Sequence, residues 1–299
     1  AAPKATRPLM PTTDAYPRLT TVKPPHSSAG TTPTRRNFIK NGSMMLAGGA
    51  IGGSTLSVAQ SAHVIGSDTI KIGLVGCGGR GTAATIQAIN AGDGGVKLVA
   101  MADAFGSNLQ KSYRSIKSMH SDKVDCVGRR YEGLDAYKSV MDSDANVVFL
   151  ATPPGFRPQH FEAAVDAGKH IFMEKPFAND IPGLKSVVDS SRKAQSAGLS
   201  VMTGLVWRYS THLMELHKRI QGGEIGDVVS VSSSYSGAQR PNKMPDIKFK
   251  PAAMSDMEWA LRYWQSYLEL SGDCMMEFMI HGLDKMSWAM GDQMPVKCY

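Results

Sequence analysis

One short stretch constrains the fold of this chain more than any other. An apolar run, Ile70–Val75, predicts a buried strand, and glycines follow it in G-x-G-x-x-G spacing at Gly76, Gly78 and Gly81. The next residues, 82–89, are good helix formers. The first glycine of such a turn permits a tight bend, the second lets the backbone approach a ligand, and the third lets the helix pack closely on the strand. The stretch therefore predicts the first unit of a parallel α/β sheet.

An acidic residue follows the next predicted strand. Residues 96–102 form an apolar run that ends at Asp103. A carboxylate at the tip of the second strand binds ribose hydroxyls, and the N-terminus of the helix after the glycines binds phosphates. We therefore predict a dinucleotide site, and the alternative is a glycine-rich turn with a surface aspartate at position 103.

Strands and helices alternate after Ile70, which predicts an α/β domain with a doubly wound parallel sheet. The later strands are predicted at 127–131, 146–151, 169–173 and 200–203, and the later helices at 104–120, 134–141, 157–168 and 181–197.

Two strand ends in this series carry distinctive turns, Thr152-Pro153-Pro154 and Glu174-Lys175-Pro176. Together with the glycine motif they resemble the Gfo/Idh/MocA family of oxidoreductases, which includes glucose–fructose oxidoreductase and inositol dehydrogenase. The later segments 206–209, 223–229 and 270–284 resemble the second domain of that family. The resemblance covers residues 66–299.

The resemblance implies two domains. Residues 63–204 would be an N-terminal Rossmann domain, and residues 205–299 a C-terminal α+β domain for substrate and oligomerisation, with a mostly antiparallel sheet. The family's second domain normally extends further, and Pro295–Tyr299 reads as the start of another strand. We therefore expect an incomplete second domain here and a homo-oligomer at full length.

The resemblance also implies an NAD(P)-dependent oxidoreductase that acts on a sugar, a polyol or a derivative. Asp103 favours NAD because a carboxylate repels the 2′-phosphate of NADP, whereas Arg80 keeps NADP possible. His160 has two readings, a packing residue of its helix or a neighbour of the cofactor. The expected cofactor-binding residues lie in the glycine loop or at strand ends: Gly76, Cys77, Gly78, Gly79, Arg80, Gly81, Asp103, Ala151, Thr152, Pro153, His160, Glu174 and Lys175.

Three residues are candidates for catalysis. Lys175 could hydrogen-bond the substrate hydroxyl and stabilise a developing alkoxide, and Glu174 beside it could orient the lysine or contact the nicotinamide ribose. In the family a histidine four residues after an acid acts as general base, which here assigns the base to His281, and Glu277 would either orient it or hold the substrate. The alternatives are a solvated lysine and an ordinary pair on a helix surface. Lys175–Pro176 is a candidate cis peptide bond.

Substrate contacts are expected from Lys175, Arg208, Tyr209 and Asp284. Three aromatic residues, Trp259, Tyr263 and Trp264, would form either a sugar-stacking wall or part of a core. No metal site is expected, since His281 and its acidic neighbours lack the order of a zinc-binding helix.

The N-terminal residues predict export. Residues 1–33 are rich in Pro, Thr and Ser, which is typical of disorder. Thr34–Lys40, with paired Arg35 and Arg36, is similar to the twin-arginine signal, and a modest apolar run continues to Ala59. A membrane anchor or a chance basic pair are the alternatives. The signal would engage the twin-arginine export machinery and deliver the protein to the periplasm or another exported location.

Charge and cysteine content limit the possible partners. The net charge of +7 is concentrated in residues 1–62, the leader, and the rest of the chain is nearly neutral, so nucleic-acid binding is not expected. The four cysteines show neither paired nor metal-binding spacing, and we expect all of them to be small buried residues: Cys77, Cys126, Cys274 and Cys298.

Two other functions remain open at this point. NAD-dependent glycosidases of the same fold, which use transient oxidation and elimination, resemble this chain in the export signal and the Gly-Cys-Gly-Gly-Arg-Gly loop, but they tend to replace the lysine that stands here as Lys175. A non-catalytic NAD-binding protein would not need the Lys175 and His281 pair.

Overall fold

The computed structural model describes residues 69–92, 94–236, 245–293 and 295–297. All of them belong to one unit of the chain, Ser57–Tyr299. The predicted leader with its twin-arginine signal, residues 1–62, lies outside the described residues.

Six strands form one parallel sheet in the order β3-β2-β1-β4-β5-β6. This is the order of a doubly wound dinucleotide-binding sheet, in which the direction of winding reverses between the first and fourth strands. The predicted Rossmann architecture is therefore confirmed. The strands are β1 (Ile70–Val75), β2 (Val96–Asp103), β3 (Arg130–Glu132), β4 (Val147–Leu150), β5 (His170–Met173) and β6 (Val201–Thr203).

Helices connect the strands and cover both faces of the sheet. They are α1 (Gly79–Ala91), α2 (Gly106–Met119), α3 (Ala136–Met141), α4 (Arg157–Asp166) and α5 (Ile181–Ser196). After the sheet follow α6 (Thr211–Gln221), α7 (Asp256–Arg262), α8 (Leu268–Ser271), a π-helical turn (Met275–Met279) and α9 (Ile280–Ala289).

The third strand is shorter than predicted. It begins at Arg130 rather than at Val127 because Val127 is 72% exposed and Gly128 has a left-handed φ of 72°. These two residues form a turn before the strand, so the apolar side chain of Val127 gave a misleading signal.

The core lies on both faces of the sheet, as a doubly wound fold requires. Leu74 and Leu98 belong to a buried cluster on one face, and Val75 and Ala100 belong to a second cluster on the other. Successive side chains of a strand point to opposite faces, so Leu74 and Val75 of β1 supply different clusters. In β2 the register with β1 shifts by one residue, so Leu98 and Ala100 supply different clusters although they are two residues apart.

The described residues after Thr203 contain helices and irregular chain but no strand. The predicted antiparallel sheet is therefore absent from this part of the description, and residues 295–297 are not a strand either. Val229, at the end of the segment 223–229 that resembles the family's second domain, is 93% exposed. An apolar strand residue without a covering layer has no burial to stabilise it.

Three smaller expectations can be compared with the structure. Cys77 and Cys126 are buried as predicted. Cys274, directly before the π-helical turn, is exposed, so the expectation was wrong for this residue. Cys298 lies outside the described residues. None of the helices in the described part of the chain combines the length and the apolar character needed to cross a bilayer.

Candidate active site

The glycine loop joins β1 to α1 at the carboxyl edge of the sheet. Gly76 has a φ of 95°, and a Cβ atom there would lie 2.7 Å from the carbonyl carbon of Ala151. A Cβ at Gly81 would run into the carbonyl oxygen of Gly76. At Gly78 and Gly79, by contrast, a Cβ would meet no atom within 4 Å. The first and third glycines are therefore required by the fold, whereas the loop is open toward the crevice at the other two.

Asp103 ties the tip of β2 to this loop. Its Oδ2 accepts a hydrogen bond from the backbone N–H of Cys77 at 2.7 Å, and its Oδ1 accepts one from Phe105 at 2.9 Å. Burial raises the pKa of the Asp103 carboxyl, and these hydrogen bonds oppose the rise. The carboxylate therefore faces the crevice from a fixed position.

A cavity runs along the carboxyl ends of β1, β2 and β4. Seven of its lining residues were predicted from the sequence: Gly76, Gly78, Asp103, Ala151, Thr152, Pro153 and His160. Trp264 also lines the cavity, although no role toward the cofactor was expected for it. Five further lining residues were not predicted from the sequence: Phe105, Asn108, Tyr137, Phe156 and Leu261. Apolar walls, a carboxylate and an open glycine loop fit the adenosine and pyrophosphate of a dinucleotide.

His160 lies between the cavity and the core. Its Nδ1 is 3.0 Å from Thr152 Oγ1, and its ring centroid is 4.3 Å from that of Tyr137. Burial and the nearby charge of Arg157 lower its pKa to about 4. His160 is therefore neutral near pH 7. Its side chain contacts Thr152 and Tyr137 and also lines the cavity.

Arg157 is a residue of this site that the sequence analysis missed. Its buried guanidinium donates hydrogen bonds to the carbonyl oxygens of Thr152 and Pro176. Burial lowers its pKa to about 10, so it remains a cation at neutral pH. It therefore links the turn after β4 to the turn that carries Lys175. An arginine at the first position of a helix gives no sequence signal of such a role.

Glu174 pairs with a residue of the glycine loop. Its Oε1 lies 2.6 Å from Arg80 Nε, and the carboxylate is almost completely buried, while the arginine is half-exposed. A Cβ at Gly204 would lie 2.8 Å from the Glu174 carboxyl carbon, so the chain after β6 packs directly on this acid. Glu174 was predicted to orient Lys175 or contact a ribose. Its carboxylate, at the end of β5, is linked through Arg80 to the glycine loop that follows β1.

Lys175 meets the C-terminal part of the chain. The Lys175–Pro176 bond is cis, as predicted. The ammonium group donates a hydrogen bond to the backbone oxygen of Glu277 and lies 4.0 Å from Oε2 of the same residue. Burial lowers the pKa of Lys175, although the Glu277 and Glu174 carboxylates oppose this shift. The structure therefore brings together two of the three predicted catalytic residues.

His281 lies one turn beyond Glu277 and is also buried. Its Nδ1 has no hydrogen-bond partner among the described residues, and its ring is nearly parallel to that of Tyr235 at 6.2 Å. Burial, and then the positive charge of Lys175, lower the pKa of His281. The predicted helical pair is altered in one respect, since Glu277 lies in a wider π-helical turn.

The predicted substrate residues are placed differently. The Arg208 guanidinium donates hydrogen bonds to Asp284 at 2.8 Å and to Asp292 at 2.6 Å. Two of the predicted substrate ligands thus bind each other. Tyr209 is half-exposed at the end of a 3-10 turn.

Two of the three aromatic residues near 260 fit the expected alternative of a core. Trp259 is buried and packs on Tyr263 with ring centroids 4.7 Å apart, so both belong to a core. Trp264 lines the cavity beside the glycine loop. Within the described ranges, no group of three or more His, Cys, Asp or Glu could hold a metal ion.

Known proteins are similar to this chain in sequence. Residues 70–203 match the family described as "Oxidoreductase family, NAD-binding Rossmann fold", Gfo/Idh/MocA. The chain is 26% identical over 227 residues to an inositol 2-dehydrogenase of Rhizobium meliloti, covering 75% of this chain and 56% of that protein. It is also 26% identical over 182 residues to a D-xylose 1-dehydrogenase (NADP(+)) of Haloferax volcanii, covering 61% of this chain and 50% of that protein.

A solved structure shows the same fold. Scyllo-inositol dehydrogenase from Lactobacillus casei, with bound NAD(H) and scyllo-inositol, superimposes with a TM-score of 0.52 at 23% identity, covering 75% of this chain and 56% of that one. The chain spans about half the length of the curated relatives it matches. The sheet order and the glycine loop agree with the sequence match. Residues 70–203 are thus similar to the NAD-binding Rossmann domain of the Gfo/Idh/MocA oxidoreductase family.

Proposed function

We propose that this protein is an exported NAD(P)-dependent dehydrogenase that oxidises a hydroxyl group of a sugar, a polyol or a derivative. The observation that carries the proposal is the contact of Lys175 with Glu277, four residues before His281 in the chain. The relatives that act on inositol and xylose support a hydroxylated substrate of this size. When bound, the nicotinamide would supply the hydride acceptor.

The chain's own residues then provide the proton chemistry. Lys175 would donate a hydrogen bond to the reacting hydroxyl oxygen and stabilise negative charge as the C–H bond breaks. The lowered pKa of His281 keeps the imidazole neutral at pH 7, so it can accept the hydroxyl proton. Glu277 holds the ammonium group of Lys175 through its backbone oxygen. Arg157 holds the turn that carries Lys175 against the turn that carries Thr152, because it hydrogen-bonds to a carbonyl oxygen of each turn.

A direct test uses Lys175→Met, which keeps the side-chain length and removes the charge. NADH formation should be lost on a panel of polyols and sugars, while NAD binding remains. Lys185→Met, on the exposed face of α5, is the matched control and should keep full activity. Undiminished activity of Lys175→Met would refute the proposal, and cleavage of aryl glycosides without net NADH would favour the glycosidase instead.

Export is a separate part of the proposal, and it rests on Arg35 and Arg36 before a weak apolar run. Replacing both arginines with lysine should hold the protein in the cytoplasm. Cell fractionation tests this, and undiminished export of the double variant would remove the twin-arginine reading.

Residues 205–299 form the substrate and oligomerisation domain in this proposal, with residues 63–204 as the cofactor domain. The proposal includes a homo-oligomer, whose interface would cover apolar side chains that are exposed in this part of the chain, such as Val229. Light scattering on the purified protein tests the oligomer, and a monomer at all concentrations would contradict it.

A further inference from the structure

A second carboxylate stands beside Asp103. Glu132 ends β3 and is the register partner of Asp103 in the parallel pairing of β2 with β3. Its Oε1 accepts a hydrogen bond of 2.8 Å from the backbone N–H of Gly106, the first residue of α2. The Glu132 charge also contributes to the raised pKa of Asp103, so the two carboxylates interact. Nothing in the sequence analysis singled out Glu132.

The surroundings of Glu132 adjoin the dinucleotide cavity. Glu132 lines a cleft that shares Phe105, Leu134 and Leu261 with that cavity. A ribose held by Asp103 would direct its 2′ position toward the chain that follows Asp103, since those residues form the edge of the cavity. The cleft is therefore the place where a phosphate on that position would lie.

The charged side chains of the cleft are mostly acidic. Glu258 also lines it and is paired with Arg262 at 2.7 Å, while the Arg262 guanidinium lies 4.2 Å above the Phe105 ring. The one cation among the described lining residues is thus already neutralised by Glu258. Together with Asp103, Glu132 leaves an excess of negative charge.

We propose that Glu132 excludes the 2′-phosphate of NADP and so sets the preference for NAD. Two effects contribute. Glu132 accepts the hydrogen bond of the first backbone N–H of α2, which a phosphate would otherwise use. Its negative charge also repels the negative charge of the phosphate. A Cβ at position 106 would lie 2.7 Å from the Glu132 carboxyl carbon, so glycine there lets the carboxylate approach the helix. The inference rests on the proposed use of a nicotinamide cofactor. Asp103 differs in role, since it would also bind the ribose hydroxyls of NAD.

The test compares Glu132→Gln with the unchanged protein by calorimetric titration with NAD and with NADP. Glutamine keeps the shape and the acceptor for the Gly106 N–H and removes only the charge. The dissociation constant for NADP should fall by at least about tenfold, whereas that for NAD should change by less than about threefold. The gain should shrink at high ionic strength because salt screens the repulsion.

Controls separate this role from general charge effects. Glu162→Gln, on the exposed side of α4, should change neither dissociation constant. Asp103→Asn should weaken NAD binding, which Glu132→Gln should not. Glu132→Ala, which frees the Gly106 N–H as well, should improve NADP binding further and serves if the glutamine variant folds poorly.

The outcomes are distinct. NAD binding with no gain for NADP in either Glu132 variant would overturn this inference and leave the proposed function standing. Equal affinities of the unchanged protein for NAD and NADP would also overturn it. If the unchanged protein binds neither dinucleotide, the proposed function fails together with the inference.

Discussion

The two kinds of glycine in the loop give a prediction that separates folding from cofactor binding. Gly76→Ala places a methyl group 2.7 Å from the carbonyl carbon of Ala151 and 2.8 Å from its oxygen, at a residue whose φ is 95°. Gly78→Ala places one in open space, at a φ of −70° that alanine adopts freely. The same substitution two residues apart should therefore have opposite effects.

The magnitudes follow from these geometries. A positive φ costs alanine about 1–2 kcal/mol, and forcing a methyl against backbone atoms costs about 1–3 kcal/mol more. Gly76→Ala should lose about 2–5 kcal/mol of stability, which lowers Tm by roughly 5–15 °C for a domain of this size. Gly78→Ala should change stability by no more than about 0.5 kcal/mol. Its methyl group lies where the pyrophosphate must approach the backbone, so NAD should bind at least about tenfold more weakly.

The assay is thermal unfolding of each variant with and without saturating NAD, together with calorimetric titration of NAD. The unchanged protein should gain stability from NAD, and Gly78→Ala should lose that gain while its Tm without NAD is unaltered. If Gly78→Ala binds NAD normally, the pyrophosphate does not approach the loop and the account of the site is wrong. A Tm unchanged by Gly76→Ala would refute the packing argument.

Three further predictions concern acid–base groups. His281→Ala should lower kcat by roughly 10²–10⁴-fold. The pKa of His281 is lowered from its ordinary value of about 6.5, so the rate of the unchanged enzyme should rise with pH in the range below that value. This acidic limb of the pH–rate profile should be absent from the variant. If the variant keeps the limb, another group is the base. Asp103→Ala should weaken NAD binding and narrow the gap to NADP, measured by titration, and an unaltered ratio of affinities would contradict its role. The fold lowers the pKa of His160 to about 4, so the free energy of unfolding should decrease by up to about 3 kcal/mol as pH falls from about 6.5 to 4. Urea unfolding across this pH range should show a smaller decrease in the free energy of unfolding for His160→Gln than for the unchanged protein.

Local patterns in the sequence predicted most of the sheet. Apolar runs, the glycine motif and the residues at strand ends are properties of short segments, so all six strands and their order could be expected. Val127 shows the limit of this reasoning, because an apolar residue in a turn resembles the start of a strand. Helix α7 shows another limit, because Ser255 caps it by accepting a hydrogen bond from the Glu258 N–H at 3.0 Å, and this Ser-x-x-Glu pattern was not used to predict the helix.

The candidate site was predicted in its residues more than in its contacts. Lys175 and Glu277 were named individually, yet their meeting depends on a separation of 102 residues along the chain. The Arg80 pair with Glu174 spans 94 residues of the chain, and no short pattern indicated it. The roles of Arg157 and Glu132 arise only when two strand ends meet, so an arginine and a glutamate of ordinary context carried no signal.

The central claim is that a hydride moves from a hydroxyl-bearing carbon of the substrate to the nicotinamide. The most direct measurement takes the polyol or sugar that gives NADH in the panel, deuterated at its hydroxyl-bearing carbons, and determines the mass of the NADH formed. The NADH formed by the unchanged protein should carry one deuterium from the substrate, and Lys175→Met should form no NADH. Unlabelled NADH, or the absence of NADH with every member of the panel, would contradict it.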